Sequence, residues 1–518
     1  MTRLPEAERA LADLEAHAST THHSTNTIRV LLSTRKLLVY VAFLLIFAGA
    51  AQPITDRDFW WHLKTGQYIV GMKVIPHTDI FSSVRFGSEW VTHEWLSEVF
   101  IYGVFRALGF LGLITVFALI IIAAFGISYL TCRTRAVPPV IAAFVILLGA
   151  FTTMLTWGVR PQMFSLLLAS IFLYVLDGYA RGGRAATLWW LVPLTILWAN
   201  LHAGYALGPT LIFFTIVALS LEPLLLPMRS AVDWRRIRLL VWVLFICILA
   251  VSLNPNGLRL YTYPFETLNS SSMMKYIQEW RSPNFHDPRF FGLALLILAC
   301  LFVFALSNKR THLHELLLLL VTAWGALNSG RNIPFFALVA IPLVAEHSWN
   351  LLGSHPASKL WLDEENSKKD PIIKLGINGA LMLLVTVLVV LGVYRASREQ
   401  AKTEIEQFPA AATDFIQAQK LPPQIFNDYD WGGYIIWRLH PDYKVYMDGR
   451  ADVYGDQILV SFFNAYDGKP GWSELLDRDG IQTVLIKPNV PLASLLRIDS
   501  THWTRVYEDQ QAVIFTRR

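Results

Sequence analysis

The sequence predicts a polytopic α-helical membrane protein that ends in a small extracytoplasmic α/β domain. Apolar residues make up 54% of the 518 residues and charged residues only 16%, a balance that excludes an ordinary soluble protein. Long apolar runs recur up to about residue 395, after which the runs shorten to strand length. The net charge of +5 is small for this length and gives no reason to expect a nucleic-acid partner.

The membrane part contains about eleven apolar segments. Each is close to the roughly twenty residues that a helix needs to cross the core of a bilayer. The segments are residues 37–53, 109–130, 138–157, 162–179, 187–207, 209–227, 238–253, 290–307, 313–328, 333–350 and 373–394. We therefore expect about eleven transmembrane helices within residues 37–395.

The loops between these segments predict the orientation. Alternate short loops carry an excess of lysine and arginine, which is typical of the cytoplasmic side. These loops are CRTR (132–135), ARGGR (180–184), RSAVDWRRIR (229–238), NKRTHLH (308–314) and the segment 354–372. Residues 1–36 are then a cytoplasmic tail and residues 396–518 an extracytoplasmic domain, in a multi-pass protein of the inner (plasma) membrane.

The first apolar segment has one further interpretation. It ends in FAGAAQ, which resembles a signal-peptidase site. The long leader before it, anchored by Arg35 and Lys36, favours a retained signal anchor over a cleaved signal peptide.

The first predicted outer loop, residues 54–95, begins with TDRDFWWHLKTGQ and carries Asp56, Asp58, His62 and Lys64. Its aromatic residues predict short helices that lie in the membrane interface. On a helix that starts near Asp58, His62 shares the face of Asp58, and both aspartates would be favoured by the positive end of the helix. Helix capping together with an aromatic belt is the alternative interpretation.

The end of the same loop, WVTHEWLSE, carries His93 and Glu94. No second histidine follows at helical spacing, so this stretch is not the zinc motif of metalloproteases. We expect His93 and Glu94 to contact an acceptor or a phosphate. Packing of an interfacial helix is the alternative.

Polar and cationic residues recur at the outer edges of several other spans. Polar residues at membrane depth usually face a cavity, and arginine offers a fork that fits phosphate oxygens. We therefore expect a cationic pocket for a phosphate that is attached to a lipid tail. Each of these residues taken alone could instead be an interfacial anchor. The residues are Arg160, Asn200, His202, Arg259, Arg281 and Arg331.

These motifs resemble the GT-C superfamily of membrane glycosyltransferases, which includes protein O-mannosyltransferases, aminoarabinose transferases and oligosaccharyltransferases. The shared pattern is an acidic pair just after the first span, interfacial aromatic helices, many spans and a soluble outer C-terminal domain. The resemblance covers most of residues 37–518. The strings DRDFWWHLKTGQYI, IPHTDIFS, WVTHEWLSEVFIY, LWANLHAGYALG, EWRSPNF, RNIPFFAL and NDYDWGGYIIWRLHPDYKVYMDGRADVYG look like a bacterial branch of that superfamily.

The resemblance implies a GT-C-like fold and a glycosyltransferase that moves a hexose or pentose from a polyprenyl-phosphate donor. The acceptor would be a hydroxyl or amine of a lipid, a glycan or a protein. An aspartate of the first outer loop would act as general base in an inverting transfer, and cations would stabilise the departing phosphate. We expect Asp58 to be the base, with Asp56 as second choice or as the partner of a divalent metal, Mg or Mn. Many members place two adjacent acids here, whereas Arg57 separates the pair in this chain.

The remaining polar residues are assigned by the same expectation. The donor phosphate would be bound by Arg160, His202, Arg281, Arg331 and Lys64. The acceptor or the pocket would be contacted by His62, His93, Glu94, Asn200 and Glu279. The carboxylates and guanidinium groups should converge on one cavity that is open to lipid.

In the C-terminal region, short apolar runs alternate with helix candidates, which predicts a small α/β domain. The helix candidates are 409–420 and 491–498, and the strand candidates are 424–428, 434–439, 444–448, 483–487 and 512–517. The stretch MDGRADVYG could recognise a sugar through Asp448, Arg450 and Asp452, although Asp-Gly is also a turn signal. We expect this domain to recognise the acceptor or to dock over the active site.

Other classes of membrane protein fit less well. A transporter would usually show internal repeats and ionisable groups near mid-membrane, and the sequence shows neither. A transport or assembly protein of the envelope polysaccharide would leave the basic pocket unused. A transferase or ligase of another fold that acts on polyprenyl-linked glycans is the nearest alternative.

Overall fold

The computed structural model describes residues 31–225, 232–353, 355 and 371–518. Most of the predicted cytoplasmic tail, part of the loop 229–238 and most of the segment 354–372 lie outside the described residues. The description below concerns the described ranges.

Helices cover all eleven predicted apolar segments. In chain order the helices of the membrane part are α1 Thr34–Ala50, α2 Phe59–Met72, α3 Trp95–Thr134, α4 Pro139–Thr153, α5 Gln162–Ala180, α6 Leu191–Leu201, α7 Leu207–Leu225, α8 Trp234–Val251, α9 Arg259–Asn269, α10 Ser271–Tyr276, α11 Phe291–Leu306, α12 Leu313–Asn328, α13 Ile333–Gly353 and α14 Ile372–Gln407. Short 3-10 turns flank several of them, among them Gln278–Trp280 and Gly330–Asn332.

Within the described ranges, seven helical stretches are long and apolar enough to cross a membrane, and two more are apolar but shorter. The shorter ones are Ala185–Leu201 and Leu313–Asn328. A polytopic helical protein is thus confirmed, and the number of eleven crossings stays a prediction.

Helix α3 has a kink at Gly109 that divides it into two parts. Gly109 has a φ of 62° and a ψ of −157°, a conformation that favours glycine. Glu98 and Tyr102, before Gly109, lie against Gly66 of α2, and the residues after Gly109 form the apolar stretch that begins the predicted second span. The loop helix and the span are therefore distinct units.

Close packing in the bundle depends on small residues, as is usual between membrane helices. Gly149 of α4 faces α13 so closely that a Cβ atom at position 149 would overlap the side chain of Ile341. Helix α13 is buried along nearly its whole length, which makes it the central helix of the bundle.

We call the end of the bundle that carries residues 51–95 and the C-terminal domain the domain end. At the opposite end, Arg135 lies 2.5 Å from Asp177, 3.1 Å from Glu315 and 3.0 Å from Glu346. Arg181 pairs with the same three carboxylates. This opposite-end cluster joins the ends of α3, α5, α12 and α13.

The C-terminal domain contains a four-stranded sheet of order β1-β2-β4-β3. Strand β1 runs parallel to β2, whereas the β2–β4 and β3–β4 pairs are antiparallel. The elements are α15 Ala410–Gln419, β1 Ile425–Asn427, α16 Gly432–Leu439, α17 Ala451–Tyr466, α18 Trp472–Arg478, β2 Thr483–Ile486, α19 Pro491–Ile498, β3 Trp503–Glu508 and β4 Val513–Arg517. The predicted small α/β domain has this mixed sheet as its core.

Two strand predictions in this domain were wrong. Residues 434–439 form helix α16, because Tyr434, Ile435 and Leu439 lie on one buried helical face, a pattern that a short apolar run does not distinguish from a strand. Residues 444–448 form only isolated bridges, one of them between Val445 and Ser82 of the first loop. Helices α17 and α18 and strand β3 were not predicted.

Several contacts fix the C-terminal domain on the first loop. Helix α14 continues from the bundle into the domain, and the amide of Gln400 bonds both the N–H (2.7 Å) and the carbonyl (3.2 Å) of Ile54. The guanidinium of Arg450 lies 2.7 Å from Asp79 in the loop and 2.6 Å from Asp448, and all three side chains are at most 1% exposed. The domain therefore sits directly against residues 54–95.

Candidate active site at the domain end

The acidic pair predicted as catalytic forms the start of helix α2. The Asp56 carboxylate accepts a hydrogen bond from the backbone N–H of Asp58 (2.8 Å), a turn that aspartate commonly stabilises. Asp58 occupies the N-cap position, but its side chain does not cap the helix. Its Oδ1 accepts instead from the indole N–H of Trp61 (3.2 Å), so the carboxylate faces the side of the helix.

Arg160 lies between two carboxylates from different segments. Its Nε is 2.7 Å from Asp56 Oδ2, and its two terminal nitrogens are 2.6 and 3.2 Å from the oxygens of Glu279. The first loop, the start of α5 and the turn Gln278–Trp280 therefore meet at one point. We call Asp56, Asp58, Arg160 and Glu279 the Asp58 cluster.

The electrostatics of this cluster favour a proton on Asp58 near neutrality. Burial, and then the neighbouring Asp56 carboxylate, raise the pKa of Asp58 to about 7. The Arg160 guanidinium opposes this shift but does not cancel it. A carboxylate with a pKa near 7 can accept a proton during a reaction at neutral pH.

Residues of the C-terminal domain close over Asp58. A Cβ atom at position 449 would overlap Asp58 Oδ1, and one at position 433 would come within 2.6 Å of the Arg57 carbonyl oxygen. The phenol of Tyr429 lies close enough that Asp58, after burial, is the largest cause of its raised pKa. Its hydroxyl makes no hydrogen bond to a residue within the described ranges. Tyr429 and Gly449, which lie in the stretches YDWGG and MDGR, were not predicted from the sequence as site residues.

A second cluster surrounds Glu94. His93 Nε2 lies 3.1 Å from the Glu94 carboxylate, His202 Nε2 3.5 Å and His62 Nδ1 3.7 Å. Burial lowers the pKa of His62 to about 4 and that of His202 to about 3, so both are neutral at pH 7. Burial raises the pKa of Glu94, but its histidine neighbours, His93 first, outweigh this and hold it well below its usual range. We call these four residues the Glu94 cluster.

His202 is oriented by hydrogen bonds at its other ring nitrogen. Nδ1 accepts from the backbone N–H of Gly204 (3.0 Å) and lies 2.7 Å from the Ser165 hydroxyl. The proton is then on Nε2, which faces Glu94 without a hydrogen-bond partner in the described part of the chain. Asn200, by contrast, accepts from the Trp95 indole (2.8 Å) and donates to the Leu253 carbonyl (3.0 Å).

The predicted cationic pocket forms in part. Arg331 stacks over Trp280 at 4.5 Å and contributes to the lowered pKa of Glu279, so it lies beside the Asp58 cluster. Among the described residues, it has no hydrogen-bond or ion-pair partner. Arg281 instead donates to the Lys275 carbonyl and is exposed.

Two other predicted cations lie outside the cluster. Lys64 is on another face of α2, with its ammonium 5.8 Å from the ring of Trp437. Arg259 pairs with Glu89 (2.9 Å) and Glu266 on the surface.

The three C-terminal recognition candidates differ in access. Asp448 and Arg450 are fully buried in their ion pair, and Tyr454 also donates to Asp448 (2.6 Å), so neither can reach a ligand in this structure. Their geometry supports docking of the domain rather than the recognition of a sugar. Asp452 accepts a hydrogen bond from Tyr263 (3.2 Å), and its charge is one cause of the raised pKa of His93, which places it beside the Glu94 cluster.

A metal site is defined less clearly. Within the described ranges, one group of three side chains brings possible ligand atoms within 4.8 Å of one another, namely Asp177, His314 and Glu315. It lies at the opposite end, where Arg135 already pairs with both carboxylates. At the Asp58 cluster, the Arg160 guanidinium lies where the carboxylates of Asp56 and Glu279 could otherwise share a cation.

No protein-family model and no curated protein matches this sequence. Solved structures resemble the fold. The oligosaccharyltransferase AglB from Archaeoglobus fulgidus, in complex with an inhibitory peptide and a dolichol-phosphate, aligns with a TM-score of 0.53 and 12% identity over 87% of this chain and 69% of that chain. The oligosaccharyltransferase of the same organism, tethered with an acceptor peptide, aligns with a TM-score of 0.54 and 13% identity over 88% of this chain and 70% of that chain.

The arabinofuranosyltransferase AftD from Mycobacteria also aligns, with a TM-score of 0.53 and 13% identity over 93% of this chain and 39% of that chain. Identities this low carry information about the fold alone.

Proposed function

We propose that this chain, whose fold matches that of the GT-C membrane glycosyltransferases, transfers a sugar from a polyprenyl-phosphate donor to an acceptor hydroxyl or amine. The domain end faces the extracytoplasmic side of the membrane in this proposal. The observation that carries it is the Asp58 cluster. A buried carboxylate with a pKa of about 7 lies beside a guanidinium at the end of an apolar helical bundle.

Asp58 acts as the general base. The acceptor O–H or N–H gives its proton to Asp58 while its oxygen or nitrogen forms a bond to the anomeric carbon of the donor. The bond from the anomeric carbon to the phosphate oxygen breaks, and polyprenyl phosphate leaves with the electron pair. Attack from the face opposite the phosphate inverts the anomeric centre. Asp56 holds the Asp58 backbone N–H and so positions the base.

Arg331 and Arg160 stabilise the phosphate that departs. Arg331 is the stronger candidate for direct contact, because none of the described residues neutralises it by an ion pair. Arg160 already pairs with Asp56 and Glu279, so its main effect is to keep the cluster together while its field stabilises added negative charge. His202, which is neutral, can donate a hydrogen bond from Nε2.

The mechanism contains no step through a metal ion. The carboxylates of the Asp58 cluster do not fit a divalent cation in their present arrangement, because Arg160 stands between two of them. The Mg or Mn ion that the resemblance implies would have to displace this guanidinium.

The similar structures support the donor class only by analogy. AglB was solved with a dolichol-phosphate, which is a polyprenyl-type phosphate lipid. A donor of this kind suits a cationic group at the end of a bundle whose exposed helix faces are apolar. The sugar could be a hexose or a pentose.

The test is turnover by the purified full-length chain in lipid nanodiscs. A panel of polyprenyl-phosphate sugars is supplied together with candidate acceptors, and release of polyprenyl phosphate is followed by mass spectrometry. Asp58→Asn should abolish the release that the unchanged protein shows, whereas Asp287→Asn, in an exposed turn, should not change it. Equal turnover by Asp58→Asn, or no consumption or binding of any donor, would remove the basis of the proposal.

A further inference from the structure

A cleft of about 500 Å³ with a mixed polar and apolar lining opens between the first loop and the C-terminal domain. Its walls come from Arg57 in the loop, from Gln407 at the end of α14, from Asp430 before α16, from Lys487 and Asn489 after β2, and from Gln510 in the turn between β3 and β4. The volume is in the range of roughly 300–1,000 Å³ that is typical of sites for small ligands. The Asp58 cluster does not include any of these residues.

The cleft lies next to the proposed base. Arg57 is the residue between Asp56 and Asp58, and its guanidinium pairs with Asp430. Tyr429 directly precedes Asp430, and the charge of Asp58 is one cause of the raised pKa of the Tyr429 phenol. The cleft therefore borders the chain segments on either side of Asp58 and Tyr429.

The charges that line the cleft balance. Lys487 Nζ is 2.8 Å from Asp430 Oδ2, so Asp430 neutralises both cations of the cleft in part. The lining holds two cations, Arg57 and Lys487, and two carboxylates, Asp430 and Glu406. A formal charge of zero does not favour a polyanion or a strongly acidic peptide.

The lining is also rich in amides that have no bonding partner. The side chains of Gln407, Asn489 and Gln510 are exposed to the cleft and make no hydrogen bond within the part of the chain that the structure describes. Each amide offers two donors and an acceptor, which match the hydroxyl groups of a sugar, since a hydroxyl both donates and accepts. Gln511 also lines the cleft, but it is held by the Glu406 carbonyl.

We propose that this cleft binds the non-reacting units of an uncharged carbohydrate acceptor and directs its terminal hydroxyl toward Asp58. The inference rests on the proposed function, because it names the acceptor of the same reaction. It places acceptor recognition at the amides of the cleft.

The experiment measures binding separately from transfer. The full-length protein in nanodiscs is titrated with neutral hexasaccharides of glucose, mannose, galactose and arabinose, with a heparin hexasaccharide and with a neutral hexapeptide, and binding is followed by calorimetry. We expect at least one neutral hexasaccharide to bind and the heparin fragment and the peptide not to bind. Binding of the heparin fragment or the peptide instead, or of no neutral hexasaccharide, overturns the proposal.

Variants locate the binding. The triple variant Gln407→Ala, Asn489→Ala, Gln510→Ala should weaken binding of that hexasaccharide at least about tenfold, since it removes three hydrogen-bonding groups. The matched control is Gln419→Ala, an exposed amide at the end of α15. An unchanged affinity of a folded triple variant, with its melting temperature kept, contradicts the assignment.

The two proposals fail in different ways. Asp58→Asn should keep the affinity for the hexasaccharide and lose transfer. A protein that binds the hexasaccharide through the three amides but never consumes a polyprenyl-phosphate sugar refutes the transfer and leaves the carbohydrate site intact. If the protein consumes donor and the triple variant binds the hexasaccharide as tightly as the unchanged protein, the carbohydrate site is refuted and the transfer is not.

Discussion

Gly449 of the C-terminal domain lies so close to Asp58 of the first loop that a Cβ atom at position 449 would overlap the carboxylate oxygen. The two residues are 391 positions apart in the sequence. The environment of the proposed base is therefore not set by the membrane part alone, because the C-terminal domain completes it. This contact also accounts for part of the burial that raises the pKa of Asp58.

Gly449→Ala should lower transfer about 100-fold, since a displacement of about 1 Å at a reacting group has an effect of this size. The fold should persist, because the clash can be relieved by moving the Asp58 side chain. The measurement is kcat for donor consumption together with the melting temperature. Gly71→Ala is the matched control, since a Cβ atom there meets nothing within 4 Å and alanine suits a helix. Full activity in Gly449→Ala would contradict the role of Asp58.

The pH dependence should show the titration of Asp58. The reaction needs the ionised carboxylate, so kcat/KM should rise as the pH increases through about 7 and should fall about tenfold per unit below it. Asp56→Asn removes the second cause of the raised pKa of Asp58, so the midpoint of the rise in kcat/KM should move to lower pH. A pH profile from 5 to 9 measures both. If the midpoint is the same in Asp56→Asn as in the unchanged protein, the rise in kcat/KM reports the titration of a group other than Asp58.

Asp58→Asn should stabilise the protein above pH 7 although it abolishes transfer. The folded state binds the Asp58 proton more tightly than the unfolded state does, so the contribution of this group to stability is lost as the pH rises from about 4 to about 7. The uncharged asparagine avoids this loss. The melting temperatures at pH 8 and pH 4 should differ less in the variant than in the unchanged protein. An equal difference in the two proteins would mean that the Asp58 carboxyl has no raised pKa.

Arg331→Gln should raise the KM for the donor about 10- to 100-fold, which corresponds to the loss of one charge-assisted hydrogen bond. The melting temperature should change little, because Arg331 has no ion-pair partner among the described residues. Arg259→Gln is the matched control, since Arg259 pairs with Glu89 and Glu266 away from the cluster. A rise in the KM of the acceptor, with that of the donor unchanged, would assign Arg331 to the other substrate.

Arg450→Met should destabilise the protein by about 3–5 kcal/mol, because it leaves the carboxylates of Asp79 and Asp448 buried without their cation. The first loop should also become sensitive to proteolysis, since the ion pair joins it to the C-terminal domain. Arg478→Met removes an exposed arginine that pairs with Asp479 and should cost less than about 1 kcal/mol. Equal melting temperatures of the two variants would disprove the docking role of Arg450.

The sequence was sufficient to predict the elements whose signal is local. Apolar runs predicted the helices that lie in the eleven apolar segments but not the helices Arg259–Asn269 and Ser271–Tyr276, and the strands at Ile425–Asn427, Thr483–Ile486 and Val513–Arg517 followed from short apolar runs next to turn residues. The region 434–439 was wrongly predicted to be a strand, since a six-residue apolar run fits the residue period of a buried strand as well as that of a helix. The long helix Ala451–Tyr466 was missed because its start, MDGRADVYG, contains glycine and aspartate and indicates a turn.

The candidate site was predictable in its membrane part only. Asp56, Asp58 and Arg160 were identified from their positions at the ends of apolar segments, and the structure brings them together. Tyr429 and Gly449 approach Asp58 through the docking of a distant domain, which no local pattern encodes. Lys64 was assigned to the phosphate because of its charge, but its place on helix α2 directs it to Trp437.

Helix α14 is longer than a membrane crossing requires. Its 36 residues give a rod about 54 Å long, whereas the hydrocarbon core of a bilayer is about 30 Å thick. The rod is therefore long enough to extend beyond the lipid, and it continues into the C-terminal domain, where Gln400 fastens it to Ile54. Because Ile54 belongs to the same loop as Asp58, we expect a change in the tilt of this rod to move the C-terminal domain and that loop together.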